Sequence, residues 1–419
     1  MKVFKFGGAS VNSITRILSL PDILRTYANE KILIVISAMG KTTNALEKVA
    51  EAFYSGKNEM ATGLFNQIKK DHLDIESGLG SFPHGSRSRL GDFFTEIEWL
   101  LHDKPVRSFD YYYDQIVSIG ELLSTSIISD FLNKSGKANQ WKDVRDIFAT
   151  DDRFRSAQLD WEKTAAEIEA QVKPLFRETD IVLTQGFIGS TDANESTTLG
   201  REGSDYSAAI FANLLDAEYL TIWKDVEGIM NADPKAFPEA QFIRELDYDE
   251  VIEMAFYGAQ VIHPKTIKPL QNKNIPLYVK CFLDPNLPGT QIRSKHIANL
   301  PSIIVVKQNQ TLIHLRTKDF SFAGEAGTAR LYSILSGLQI QANLIQTGAV
   351  IIYVCVDEDK EKIGKLAEEA ATLFDVELEK GLTLLTVRHY RQEILLSLIN
   401  KREIILQQWS RETVQTLLR

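Results

Sequence analysis

The opening of the chain does most to restrict its fold. Residues 3–6 read as a short buried strand, Gly7 and Gly8 follow, and residues 14–27 carry Ile17, Leu18, Leu20, Ile23 and Leu24 at helical spacing before a β-branched run at 32–37. Pro21 predicts a break or kink in that helix. A strand–helix–strand order implies a parallel sheet with helices on its faces, and ligands in such sheets sit beyond the carboxyl ends of the strands. Gly7, Gly8 and Ser37 stand at those ends.

The pattern continues along the chain. Residues 114–132 read as a helix with Ile116, Val117, Ile119, Leu122, Leu123, Ile127 and Ile128 inward and Glu121 among them. Strands are expected at 144–149, 181–185, 219–223 and 276–280, and helices at 161–176, 206–215, 248–257 and 263–270. Residues 55–92, with Gly78, Gly80, Pro83 and Gly85, predict helices joined by a surface loop, and 284–290 reads as a linker. Beyond residue 300 the texture changes. Strands at 303–306 and 311–315, a helix at 329–335, strands at 340–345 and 350–356, a helix at 361–373 and strands at 376–378 and 382–387 give the β–α–β–β–α–β order of a ferredoxin-like unit. A helix at 392–399, a strand at 403–406 and a helix at 412–418 follow.

Composition narrows the function classes. A chain of 419 residues exceeds one ordinary core and fits two or three domains. No run approaches 18 uninterrupted apolar residues, so no membrane span is expected, and the start lacks a secretory apolar stretch, which makes a cytoplasmic location the expectation. A net charge of −9 argues against nucleic-acid partners. Cys281 and Cys355 form no CxxC motif, the histidines show no HExxH spacing, and no metal ligand set is expected. An anionic substrate must then be held by locally placed cations.

Four stretches supply such groups. Thr198-Leu199-Gly200-Arg201-Glu202-Gly203-Ser204-Asp205 precedes an apolar helix starting near Ser204 or Asp205, so helix N–H groups and Arg201 face an anion; the same residues alone also fit a turn and a capped helix. Lys5-Phe6-Gly7-Gly8-Ala9-Ser10 places a lysine at a strand end before two residues whose missing Cβ lets N–H groups approach an oxyanion, although a plain strand–turn–helix fits equally. Ser37-Ala38-Met39-Gly40-Lys41-Thr42-Thr43 adds hydroxyls at a second strand end, as an N-cap cluster would also do. Glu121 on an apolar helix face needs a cationic partner, either an ammonium group or an internal salt bridge.

Taken with Ser118-Ile119-Gly120-Glu121, Thr184-Gln185-Gly186-Phe187, Asp225-Val226-Glu227-Gly228, Asp233-Pro234 and Gly258-Ala259-Gln260-Val261-Ile262-His263-Pro264, these stretches resemble aspartate kinase, in the family's order. The resemblance covers residues 1–295, and residues 300–389 resemble the family's ACT regulatory module, with a shortened second copy at 390–419. It implies an α/β fold: a parallel-rich sheet sandwiched by helices, the amino-acid kinase fold, plus a C-terminal ferredoxin-like ACT region. It also implies transfer of the γ-phosphoryl of ATP, with Mg²⁺, to the side-chain carboxylate of L-aspartate, the committed step towards lysine, threonine and methionine.

Carried over by motif, Lys5 contacts the transferred phosphoryl and Asp205 lies by the reacting groups. Ser37 and Thr43 seat the substrate, Glu121 takes its ammonium and Arg201 its α-carboxylate. Gly7, Gly8, Ser10, Lys224, Asp225, Met230, Lys235, Gln260 and Val261 fall at nucleotide-site positions. Lys224, Met230 and Gln260 depart from the family's usual Thr, Tyr and Lys, which marks a variant nucleotide side. Residues 343–349 depart from the usual effector-loop pattern, so the ACT region is expected either to bind an amino-acid effector such as lysine or threonine or to serve dimerisation; a homodimer is expected. Two other readings share this fold: an amino-acid-binding regulator without turnover, and a kinase for another carboxylate such as glutamate.

Overall fold

The computed structural model describes residues 1–80, 86–318, 322–400 and 402–419. The chain forms two compact units, one of Met1–Ile229, Arg244–Ile252 and Ile262–Ile297, the other of Met230–Ile243, Glu253–Val261 and Ala298–Arg419.

The first unit is built on ten strands: β1 Lys2–Phe6, β2 Ile32–Ile36, β3 Gln140–Lys142, β4 Ile181–Gln185, β5 Ile188–Ser190, β6 Ser196–Thr198, β7 Tyr219–Lys224, β8 Glu245–Asp247, β9 Leu277–Cys281 and β10 Thr290–Arg293. Eight make one sheet in the order β3-β4-β2-β1-β7-β9-β10-β8, and β5 and β6 make a separate hairpin. Every pairing in the large sheet is parallel except β9 with β10. The apolar runs explain the arrangement: β1, β2 and β4 are buried at every residue, as expected of parallel strands covered on both faces. Each fully buried Ile, Leu or Val there contributes about 1.5–3 kcal/mol. The helix Gly203–Leu214 packs on β1, β2 and β7, and the helix Ile119–Lys134 on β2, β3 and β4.

Several local readings are corrected. The helix expected over 14–27 is two, Ile14–Leu18 and Leu20–Arg25, and Pro21 lies in the first turn of the second, where its missing N–H costs nothing. Residues 144–149 are not a strand but start with a short 3₁₀ turn, Val144–Asp146, whose Val144 N–H is taken by the Gln185 side chain at 2.7 Å. The long central helix is divided at Ser118 into Phe109–Val117 and Ile119–Lys134. Together these have the length and apolarity of a membrane span, yet 89% of that window is buried inside the protein, as a core helix is. The helix expected over 161–176 loosens after Glu167 into π and 3₁₀ turns. Strands β3, β5, β6, β8 and β10 escaped the sequence reading, β10 beginning where a linker was expected to end. The surface loop expected around Pro83 and Gly85 lies outside the described residues.

The second unit holds β11 Ile303–Thr317, β12 Ala342–Thr347, β13 Ile351–Asp357, β14 Phe374–Arg388, β15 Ile404–Trp409 and β16 Thr413–Leu418. They form one antiparallel sheet in the order β12-β13-β11-β14-β16-β15. The short strands expected in pairs at 303–315 and at 376–387 are two continuous 15-residue strands. Their pairing shifts register between Lys307 and Leu312, so each strand serves two sheet portions. The later part of β11 and early part of β14 join β12 and β13 under the helices Glu325–Gly337 and Lys360–Ala370, completing the ferredoxin-like order. The other halves join β16 and β15 beside the helix Gln392–Ile399, with Leu385, Val387, Leu395, Val414 and Leu418 as their core. Residues 412–418 are therefore not a helix. Thr413, Val414 and Thr416 favour a strand, and β14 supplies the partner that the local sequence does not reveal.

Candidate active site

The strand ends of the first unit converge on a cleft of about 450 Å³. Its floor starts at Lys5, next to last in β1 and aligned with Val35 of β2 and Ile222 of β7, which directs the chain after β1 toward the turn after β2. Gly8 makes that approach feasible. A Cβ there would lie 2.6 Å from the Ala38 carbonyl, and Gly40 N–H donates to the Gly8 carbonyl at 3.0 Å. The glycine is thus required by contact between the two turns themselves, before any ligand is considered.

The cleft brings together Lys5, Gly8, Ser37, Thr43, Glu121, Arg201 and Asp205 of the expected set. Asp205 is the third residue of the helix Gly203–Leu214, three places past the N-cap, because the helix starts earlier than expected and Glu202 precedes it in a left-handed conformation. Its carboxylate lies 2.6 Å from the Lys5 Nζ, both side chains almost wholly buried. Burial alone would raise the Asp205 carboxyl, but the charges of Lys5 and Lys224 outweigh that and hold it below the usual carboxylate range.

Glu121 is the opposite case. Only 2% exposed, it accepts one long hydrogen bond from the Ala38 N–H at 3.3 Å, and its Oε2 has no hydrogen-bond partner. Burial pushes its carboxyl up to about 8, against the opposing effects of the Ala38 N–H, its own backbone N–H and the charge of Lys5. A buried, half-satisfied carboxylate on a cleft wall is a receptor for a cation.

Other expected residues stand elsewhere. Gly7 lies against Lys5, its absent Cβ position 3.2 Å from the Nζ. Ser10 is buried and donates its hydroxyl to the Trp223 carbonyl at 3.1 Å, tying the first turn to β7. Lys224 ends β7 and Asp225 follows it, exposed. Met230, Lys235, Gln260 and Val261 belong to the second unit; Met230 bridges Phe242, and Lys235 N–H donates to Asp233 at 3.0 Å. Among the described residues no group of three or more His, Cys, Asp or Glu is placed to hold a metal ion.

The cleft also contains residues to which the sequence assigned no role. Phe187 and Thr198, both within the quoted motifs, line it together with Glu47, Tyr113 and Arg155, which no motif contained. Tyr113 donates to Glu47 Oε1 at 2.6 Å. Asp114, fully buried, accepts the Thr198 hydroxyl at 2.7 Å, the Thr198 N–H at 2.8 Å and the Arg155 N–H at 2.9 Å. Burial raises Asp114 to about 6, although these three bonds act against the rise. Glu47 had a usable signal, since it lies four residues after Thr43 and so on the same helix face. Arg155 had none, because only folding carries its loop to this cleft.

Comparison with known proteins places the chain in a family. Residues 1–281 match the model of the amino acid kinase family. The chain is 33% identical over 394 residues to lysine-sensitive aspartokinase 3 of Escherichia coli (strain K12), covering 92% of this chain and 86% of that protein. It is 31% identical over 408 residues to chloroplastic aspartokinase 2 of Arabidopsis thaliana, covering 95% of this chain and 73% of that one. A crystal structure of E. coli aspartokinase III in complex with aspartate and ADP, in its R-state, superposes with a TM-score of 0.85 at 30% identity, over 100% of this chain and 96% of that one. The same enzyme in complex with lysine and aspartate, in its T-state, gives a TM-score of 0.82. The chain belongs to the amino acid kinase family and, within it, to the aspartokinases.

Proposed function

We propose that this chain transfers the γ-phosphoryl group of MgATP to the side-chain carboxylate of L-aspartate, giving ADP and 4-phospho-L-aspartate, the first step towards lysine, threonine and methionine. The observation that carries the reading is the unpartnered Oε2 of buried Glu121 in the cleft that also holds Lys5, Asp205 and Arg201. An α-amino acid with a second carboxylate satisfies those groups. Its ammonium goes to Glu121, its α-carboxylate to Arg201 with Ser37 and Thr43 alongside, and its side chain toward Lys5.

The acceptor carboxylate is ionised at neutral pH, so no residue need remove a proton. The barrier is the approach of two anions, and positioned cations lower it. Lys5 neutralises charge on the transferred group, and Asp205 holds the Lys5 Nζ in line. Gly7, Gly8 and Ser10 shape the phosphate turn, and Lys224 and Asp225, at the end of β7, serve the nucleotide. Mg²⁺ entering with ATP would supply charge screening at the phosphates. The catalytic region is residues 1–295, with regulatory regions at 300–389 and 390–419, in a cytoplasmic homodimer. Edge strands β12 and β15 support dimerisation, since exposed edges favour pairing with a second copy; a monomer in sedimentation at micromolar concentration would contradict it. A cavity of about 540 Å³ in the second unit, bordered by Tyr332, Leu335, Ser336 and Asn343, supports a small-molecule effector.

The test is hydroxylamine trapping of the acyl phosphate with MgATP. L-Aspartate yields hydroxamate and L-glutamate does not; hydroxamate from glutamate alone reassigns the acceptor, and none from either leaves an amino-acid-binding regulator.

A further inference from the structure

Left-handed backbone is concentrated on the walls of the cleft. Apart from Asn and Asp, the non-glycine residues with positive φ among the described residues are Arg155 (67°), Phe187 (72°), Glu202 (53°), Gln339 (51°) and His389 (46°), and the first three all line it. Phe187 and Glu202 have local reasons for the conformation. Phe187 N–H donates to Ser207 Oγ at 2.9 Å and its carbonyl accepts the Leu199 N–H at 2.8 Å, while Glu202 leads into the helix Gly203–Leu214. Arg155 lies in an exposed loop where glycine would sit without strain.

The strain is held by contacts that aim the residue. The Arg155 N–H is bound by buried Asp114, the carboxylate that also grips Thr198, and the Arg155 carbonyl lies 3.1 Å from where a Cβ on Gly200 would be. Arg155 is thereby fixed beside the segment that carries Arg201. Its guanidinium rests 4.5 Å from the Tyr113 ring centroid and 3.2 Å from Asp110 in a pair about half exposed on both sides. Such a pair is weak and readily exchanged for another carboxylate. Charge balance needs that cation, because Glu47, Glu121, Glu202 and Asp205 border the cleft against Lys5, Arg201 and Arg155.

We propose that Arg155 is a specificity-determining residue whose guanidinium, beside Arg201, forms a second clamp on the acceptor's α-carboxylate, with Asp114 as the positioning residue that holds it there. The inference rests on the acceptor assignment above. A planar guanidinium matches a carboxylate, so the clamp selects the free α-acid over an α-amide.

Arg155→Gly isolates the side chain, since glycine keeps the left-handed backbone and thermal stability should hold or rise. The expected result is a rise in KM for L-aspartate of about tenfold or more, with kcat within about threefold and KM for MgATP unmoved, matching loss of one charged hydrogen bond. The preference for L-aspartate over its α-amide falls by a similar factor, and Arg155→Lys recovers part of both. Asp114→Asn raises the aspartate KM in the parent protein and raises it less in the Arg155→Gly background. If Arg155→Gly and Arg155→Gln both turn over L-aspartate with parental KM and parental amide discrimination, the proposal is wrong. Parent protein that makes no L-aspartate-dependent ADP instead removes the acceptor assignment on which it rests.

Discussion

The two ends of the cleft carry buried carboxylates in opposite electrical states. Asp205 meets Lys5 at 2.6 Å and stays ionised, whereas Glu121 faces the cavity with one oxygen unpartnered and its carboxyl pushed up to about 8. Both carboxylates keep an oxygen without a well-aligned hydrogen bond, but the first has its counter-charge in Lys5 as folded, whereas the second lacks one until a cation enters. Charge balance within the fold suits a group that must be preorganised for phosphoryl transfer, and charge imbalance suits a group that must choose a ligand. Burial and cavity lining alone would miss this contrast, because both residues line one cavity and both are buried.

The largest way to break the contrast is to unbalance the balanced end. Lys5→Ala should lower kcat on the order of a hundredfold to a thousandfold, as loss of a preorganised donor does, and steady-state turnover measures it. Retention of near-parental kcat would remove Lys5 from the reaction. Next in size is Glu121→Gln, which keeps shape and discards charge. KM for L-aspartate should rise about ten- to a hundredfold, the worth of a charged hydrogen bond, while KM for MgATP stays put.

The same variant has a smaller effect of opposite sign on stability. The folded Glu121 value is raised from 4.5 to about 8, so its contribution to stability is fully present below 4.5 and is lost as pH rises through 8. The ligand-free parent should therefore lose up to about 1.4 kcal/mol per pH unit across that window, and Glu121→Gln should lose less. Urea denaturation at pH 5, 6.5 and 8 reads the difference. Parallel curves for the two proteins would mean that Glu121 titrates as an ordinary surface acid.

Much of the balanced end was legible in the sequence. A lysine at a strand end followed by two glycines, and a carboxylate at a helix start, announce themselves locally, and the fold joined them as expected through parallel pairing of β1 with β2 and β7. Glu121 was legible for a different reason, as a charge out of place in an apolar helix. Arg155 and Tyr113 were not, since their positions depend on Asp114 gripping Thr198 across 84 residues of chain. The second unit was misread where strand identity depends on a distant partner. Residues 412–418 have an apolar spacing compatible with a helix, and only pairing of β16 with β14 decides the matter. Ser10 shows the converse: its motif position says nothing of the bond its hydroxyl donates to the Trp223 carbonyl, 213 residues away.

Proton release on L-aspartate binding tests the central contrast most directly. Calorimetry at pH 8 in buffers of different ionisation enthalpy should find about half a proton released per site in the parent protein, because a bound ammonium forces Glu121 to ionise, and almost none in Glu121→Gln under saturating ligand. Equal release from both proteins, or none from the parent, would show that Glu121 is not the group awaiting the substrate's charge.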